Sequence, residues 1–101
     1  MNIDMIEVTE NNISFVIMPK QRKVLINDRY YDIEEKKIKE FLDIIRNWDH
    51  EYSDNTHMDG NMFSVNICYN GKVDKISGVR DVPLNYAAFS EFVRSIVYDR
   101  R

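Results

Sequence analysis

The dipeptide Asn70-Gly71 constrains the fold most, because it separates two stretches that read as antiparallel strands. Asn and Gly accept the positive φ angles of a type I′ turn, the turn whose twist suits a two-residue β-hairpin. Apolar residues alternate along the stretch before it: Phe63, Val65, Ile67 and Tyr69. A two-residue loop predicts that Val65 faces Ile76 and that Cys68 faces Val73.

Three shorter strand candidates precede this hairpin, at residues 3–8, 13–18 and 23–27. The connections, residues 10–12 and 19–22, are rich in Asn, Pro and charged residues, which suit turns. The pattern predicts an antiparallel meander. Its second strand is apolar on one face and only partly polar on the other, so we expect that strand at the centre of the sheet.

Two amphipathic stretches predict helices. Asp32 and Glu35 fit a capping box, which predicts a helix that starts at Ile33. Its apolar stripe comprises Ile38, Phe41, Leu42, Ile45 and Trp48. Asn85 is a suitable cap for a second helix. The stripe of that helix comprises Tyr86, Phe89, Phe92, Val93, Ile96 and Val97.

The order β-β-β-α-β-β-α predicts an α+β fold in one domain, residues 1–101. We expect one mostly antiparallel sheet of about five strands with both helices packed on one face. The opposite face would keep several apolar residues: Val16, Met18, Leu25, Met62 and Tyr30 or Tyr31. An uncovered apolar face of this kind favours a homodimer, which is one alternative for the function.

The single cysteine, Cys68, excludes an intrachain disulfide, and the amino terminus lacks the pattern of a signal peptide. We therefore expect a cytoplasmic protein. The longest apolar stretches, such as residues 15–18, are far shorter than the roughly 18 residues of a membrane helix. No membrane association is expected.

An acidic segment lies in the middle of the chain, because no Lys or Arg occurs between Arg46 and Lys72. Its negative potential would repel nucleic acid and attract a basic protein partner. Aromatic side chains beside the carboxylates are typical of binding surfaces. The predicted contact residues are Asp49, Glu51, Tyr52, Asp54, His57 and Asp59. The simpler alternative is that these carboxylates are only solvated.

The same segment holds both histidines, which raises the question of a metal or an enzyme. His50 and His57 are seven residues apart, so they lack the i,i+4 spacing of a helical ligand pair. Cys68 has no second cysteine and lies within a predicted strand. We expect no cofactor, no metal and no catalytic residues. A small metal-dependent enzyme that uses residues 50–59 remains the second alternative.

The second half of the chain has a distinctive spacing of aromatic, glycine and proline residues. They are Trp48, Tyr52, Asp59-Gly60, Phe63, Gly78, Pro83, Tyr86 and Phe89. This spacing resembles that of small uncharacterised bacterial α+β proteins, some of which are immunity partners of secreted toxins. The resemblance implies action by occlusion of a partner protein and supplies no catalytic residues.

Overall fold

The computed structural model describes residues 2–53, 62–79 and 81–98 of the 101 in the chain. This part of the chain forms seven strands and two helices in an α+β arrangement. The strands are β1 Met5–Glu10, β2 Ile13–Met18, β3 Lys23–Ile26, β4 Arg29–Asp32, β5 Glu51–Ser53, β6 Met62–Tyr69 and β7 Lys72–Val79. The helices are α1 Glu35–Ile45 and α2 Tyr86–Tyr98.

All seven strands join one sheet in the order β4-β3-β2-β1-β6-β7-β5. Every neighbouring pair is antiparallel except β5 and β7, which are parallel. The general class is confirmed, whereas the sheet is mixed and has more strands than the predicted five. The central strand is β1 rather than the expected β2, because β6 pairs with the edge of β1 that β2 leaves free.

The predicted hairpin is confirmed in its turn and in its register. Asn70 and Gly71 have φ angles of 50° and 73°, as a type I′ turn requires. Val65 faces Ile76, and Cys68 faces Val73.

The predicted start of the first helix is wrong, because Asp32 ends a strand. Asn27 and Asp28 have φ angles of 49° and 67° and turn the chain back into β4. Asp32 then lies opposite Lys23 and forms an ion pair with it. The helix starts only at Glu35, and its N-cap residue makes no side-chain capping bond. The Asp32 side chain therefore pairs with Lys23 across the strands instead of capping the helix.

The short parallel strand β5 was not expected. Glu51 lies opposite Ser77 and Tyr52 lies opposite Gly78, while the Ser77 amide donates to the His50 carbonyl at 2.9 Å. Three mostly polar residues give no strand pattern of their own. Their conformation comes from the free edge of β7.

Both helices contribute to one core on a single face of the sheet, as expected. The buried apolar residues are Ile6, Val8, Phe15, Ile17, Val24, Ile26, Ile33, Ile38, Phe41, Ile45, Phe63, Val65, Ile76, Tyr86, Phe89, Phe92, Val93 and Ile96. Phe41 of α1 and Phe92 of α2 have ring centroids 5.0 Å apart. Neither helix is long and apolar enough to span a membrane, within the residues that the structure describes.

Candidate functional site

Trp48 lies where the chain leaves α1 and is part of the candidate site. Helix α1 ends at Ile45, and the Trp48 amide closes the next turn by donating to the Ile45 carbonyl at 3.1 Å. The indole Nε1 donates to Asn85 Oδ1 at 2.7 Å. Asn85 Nδ2 in turn donates to the Ile44 carbonyl at 2.7 Å. The Asn85 side chain therefore bridges the two helices instead of capping α2 as predicted.

An aromatic cluster holds the indole from below. The Trp48 ring centroid lies 5.2 Å from that of Phe89 and 5.4 Å from that of Phe63, and both of these phenylalanines are buried. Such tilted and edge-on contacts are the favoured arrangements of aromatic rings. Trp48 therefore has a fixed position while part of its side chain reaches the surface.

Tyr52 fixes the backbone beside the indole. Its ring is edge-on to Trp48, and its hydroxyl oxygen accepts a hydrogen bond from the Asp49 amide at 2.8 Å. The Asp49 carboxylate has no ion pair among the described residues. Two of the predicted contact residues, Asp49 and Tyr52, therefore lie together.

A shallow pocket of about 440 Å³, here called the Trp48 pocket, lies beside these residues. Its lining comprises Asp43, Ile44, Asn47, Trp48, Asp49, Tyr52, Asp81, Val82, Pro83, Leu84 and Asn85. These described residues include three aspartates and no Lys or Arg. Asp43 is paired with Arg46 at 2.8 Å, and Asp81 accepts a hydrogen bond from the Val82 amide at 2.9 Å. Among the residues that the structure describes, the negative charge of the pocket is therefore only partly neutralised.

Leu84 projects from the rim of this pocket. Its relative exposure is 109%, the highest among the exposed large apolar residues, and Val82 beside it is also exposed. A fully exposed leucine gains nothing for folding, since the hydrophobic contribution comes only from burial. The rim therefore combines an apolar side chain with carboxylates.

The remaining predicted contact residues are not part of this pocket. Glu51 is exposed on β5 but lies on the opposite face of the strand from Tyr52, because side chains alternate along a strand. Asp54, His57 and Asp59 lie outside the described residues. Sequence reasoning missed Asp81 and Leu84, although an apolar residue beside Pro83 in a polar connection was an available signal.

Metal chemistry has no support from the described residues. No group of three or more His, Cys, Asp or Glu side chains there could hold a metal ion. His50 is the only one of the two histidines that the structure describes, and it is exposed.

Besides an acidic concavity of about 500 Å³ that is lined by Glu7 and Asp28, two larger concavities carry mixed charge. One lies near the start of α1, between Lys37 and the ion pair of Lys23 with Asp32. The other follows the exposed face of α1, where Lys39 pairs with Glu35. Opposite charges partly cancel in both places, so neither selects a partner by charge as the Trp48 pocket does.

A buried carboxylate lies at the end of β1. Glu10 is only 5% exposed, although sequence reasoning placed it in a turn. Tyr86 donates its hydroxyl proton to Glu10 Oε2 at 2.5 Å, and Ser90 donates to Oε1 at 3.3 Å. Burial, followed by this hydrogen bond, raises the pKa of Tyr86 above its usual range. The arrangement satisfies the buried acid and ties the sheet to α2.

The chain was compared with protein-family models, curated proteins and solved structures. No protein-family model matches the chain, and no match was found among curated proteins or among solved structures.

Proposed function

We propose that this chain is a non-enzymatic, cytoplasmic protein-binding module whose partner contacts the Trp48 pocket. The partner presents basic side chains to Asp49 and Asp81 and an apolar surface to Leu84. An immunity or inhibitor role, in which the module covers a functional surface of its partner, is the most concrete form of this proposal. Asp54, His57 and Asp59 belong to the same acidic segment of the sequence and would extend the contact.

The observation that carries the proposal is that a fully exposed leucine lines the same pocket as a fixed indole and several aspartates. Leu84 is fully exposed, and Asp49 and Asp81 have no ion pair among the described residues. Apolar anchors surrounded by charge are typical of surfaces that bind proteins. The fixed Trp48 ring reduces the ordering cost of binding.

The negative charge of the pocket determines which kind of partner fits it. The described lining of the pocket contains three aspartates and no basic residue, and the chain has a net charge of −3. Opposite charges speed the encounter of two proteins and exclude partners of the wrong sign. A basic protein surface is therefore the best complement.

The test starts with the tagged chain as bait in a lysate of cells that naturally contain it. A captured protein is then purified and titrated against the wild type, Asp49→Asn with Asp81→Asn, and Leu84→Ser. We expect each variant to weaken binding about tenfold, since loss of about 1.4 kcal/mol corresponds to a factor of ten. Glu51→Gln should have a smaller effect, because Glu51 lies on the other face of β5.

A matched control removes two carboxylates elsewhere. Glu34 and Glu91 are exposed, make no ion pair among the described residues and lie away from the pocket. The double variant Glu34→Gln with Glu91→Gln has the same net charge as the aspartate variant and should bind normally. Equal weakening by both double variants would show that only net charge matters and would reject the pocket as the binding site.

A further inference from the structure

The face of the sheet that points away from the helices, here called the outer face, has no cover among the described elements. Several of its apolar residues are exposed: Met5, Tyr30, Met62, Val73 and Val79. Val16, Met18 and Leu25 on the same face are only half-buried. An apolar face of this extent marks an interaction surface, and the cross-strand register indicates what covers it.

Three rows of residues cross the outer face over β1, β6 and β7. The first row is apolar, because Met5 lies opposite Cys68, which lies opposite Val73. The second row is Glu7, Asn66 and Lys75, and it carries one charge of each sign. The third row consists of hydroxyl residues: Thr9, Ser64 and Ser77.

In each row, the residue on β1 is a suitable partner for the residue on β7, and β6 lies between them. A twofold axis parallel to β6, lying between two stacked sheets, places β1 of one copy over β7 of the other. Met5 then meets Val73, Thr9 meets Ser77, and Glu7 meets Lys75, each from the opposite copy. Aligned stacking of two sheets about 10 Å apart is a common way to cover such faces.

We propose that the outer face is the interface of a homodimer whose twofold axis runs parallel to β6. The side chains of Glu7 and Lys75 form no hydrogen bond or ion pair among the described residues. Two copies of the chain supply both missing partners at once. An interface of this kind uses the same patch on each subunit, as twofold symmetry demands.

Asn66 lies at the centre of the face, between Glu7 and Lys75. Its Oδ1 atom is shielded from solvent and has no hydrogen-bond partner among the described residues. Buried polar atoms normally have a partner. The chain's own atoms shield this oxygen, so a second copy has no access to it and the dimer does not supply its partner. The proposal rests on the rows of residues and on the unpaired charges of Glu7 and Lys75.

The size of the face is adequate. With the axis at β6, β2 of one copy lies over β5 of the other, so five strands overlap. Strands spaced about 4.8 Å apart and at most about 20 Å long give these five a flat area of at most roughly 480 Å². The accessible surface of protruding side chains is larger than that flat area. Stable interfaces bury about 800 Å² on each partner, so the outer face is close to the size that a stable dimer needs. This interface is separate from the Trp48 pocket, and the proposal does not depend on the proposed function.

A charge exchange tests the arrangement through the measured mass in solution. Light scattering coupled to size-exclusion chromatography should give twice the monomer mass for the wild type at high micromolar concentration. Glu7→Lys places two lysines against each other, and Lys75→Glu places two glutamates against each other, so each variant should run as a monomer. Glu40→Lys, on the exposed side of α1, is the matched control and should remain dimeric.

A charge-exchange rescue shows whether the single variants are monomeric because the charges repel or because the protein misfolds. The double variant Glu7→Lys with Lys75→Glu recreates both pairs with exchanged signs and should be dimeric. The two single variants, each monomeric alone, should form a heterodimer when mixed. A wild type that stays monomeric at high micromolar concentration would overturn the proposal. So would single variants that remain dimeric, because another surface would then hold the copies together.

Cys68 provides a second measurement, since it is the only cysteine in the chain and lies on the proposed axis. A maleimide should modify the Cys68 thiol slowly in the wild type, where the second copy covers it, and faster in Glu7→Lys. Equal rates for the two proteins at high micromolar concentration would contradict the predicted interface.

Discussion

The indole of Trp48 donates a hydrogen bond to Asn85 Oδ1 at 2.7 Å across 37 residues of sequence. Through Asn85 the indole is linked to the Ile44 carbonyl in the last turn of α1. The end of the first helix and the start of the second are therefore held together by one amide side chain. The same contact positions the Trp48 pocket.

Replacement of Asn85 should loosen this junction. Asn85→Ala removes an acceptor from Trp48 and a donor from the Ile44 carbonyl, and we expect the free energy of unfolding to fall by about 1–2 kcal/mol. Urea denaturation followed by Trp48 fluorescence measures both stability and the environment of the only tryptophan. Asn47→Ala, in the lining of the same pocket, is the control and should have little effect. An unchanged midpoint for Asn85→Ala would show that water replaces both bonds without loss.

Gly78 is required because Phe63 occupies the space of a side chain. A Cβ atom at position 78 would overlap Phe63 Cε1 and would lie 2.8 Å from the Asp81 carbonyl oxygen. Gly78→Ala should therefore cost about 1–3 kcal/mol through overpacking. Thermal or urea unfolding measures the loss.

A second substitution can show whether Phe63 causes that loss. Phe63→Leu removes the ring atoms nearest to the new Cβ, so Gly78→Ala should cost less in a Phe63→Leu background than in the wild type. Gly71→Ala has no neighbour within 4 Å and is strained only by its φ of 73°, with an expected cost of about 1 kcal/mol. Identical costs of Gly78→Ala in both backgrounds would assign the effect to the Asp81 carbonyl instead.

Tyr86 should make the fold sensitive to alkali. Burial and the hydrogen bond to Glu10 raise the pKa of Tyr86 in the folded protein, while its unfolded pKa stays near 10. The unfolded chain therefore loses this proton first as the pH rises above about 10, and the free energy of unfolding falls there. Tyr86→Phe should be less stable by about 1.5–3 kcal/mol near neutral pH but should decline less steeply above about pH 10.

The measurement is chemical denaturation at a series of pH values for the wild type and Tyr86→Phe. Tyr30→Phe serves as a control, because Tyr30 is 63% exposed on β4 and should leave both stability and its pH dependence unchanged. If the Tyr86→Phe curve runs parallel to the wild-type curve in alkali, Tyr86 is not the group responsible.

Tyr52 should protect the backbone of the Trp48 pocket. Tyr52→Phe removes the oxygen that accepts from the Asp49 amide at 2.8 Å while it keeps the ring against Trp48. We expect a small loss of stability, about 0.5–1.5 kcal/mol, and clearly faster hydrogen exchange of the Asp49 amide. Exchange at the Ser77 amide, which donates to the His50 carbonyl, should change little. Unchanged exchange at Asp49 would mean that the Tyr52 hydroxyl does not hold this amide in solution.

Local chemistry was sufficient to predict the hairpin and the helical stripes. Asn70-Gly71 specifies a turn through its own backbone preferences, and alternation then sets the pairing of Val65 with Ile76. Apolar spacing placed Phe41 and Phe92 on the buried faces of their helices. These predictions succeeded because every cause lies within a few residues of its effect.

Tertiary structure decided what depends on partners far along the chain. The sequence predicts that Asp32 caps a helix, but Asp32 pairs with Lys23. It also predicts that Asn85 is a cap, but the Asn85 side chain bridges Trp48 and the Ile44 carbonyl. The sequence predicts that Glu10 lies in a turn, but its side chain is buried against Tyr86, which is 76 residues away in the sequence. A polar side chain bonds to whichever group the fold brings near it, and only packing of the helices on the sheet determines which group that is.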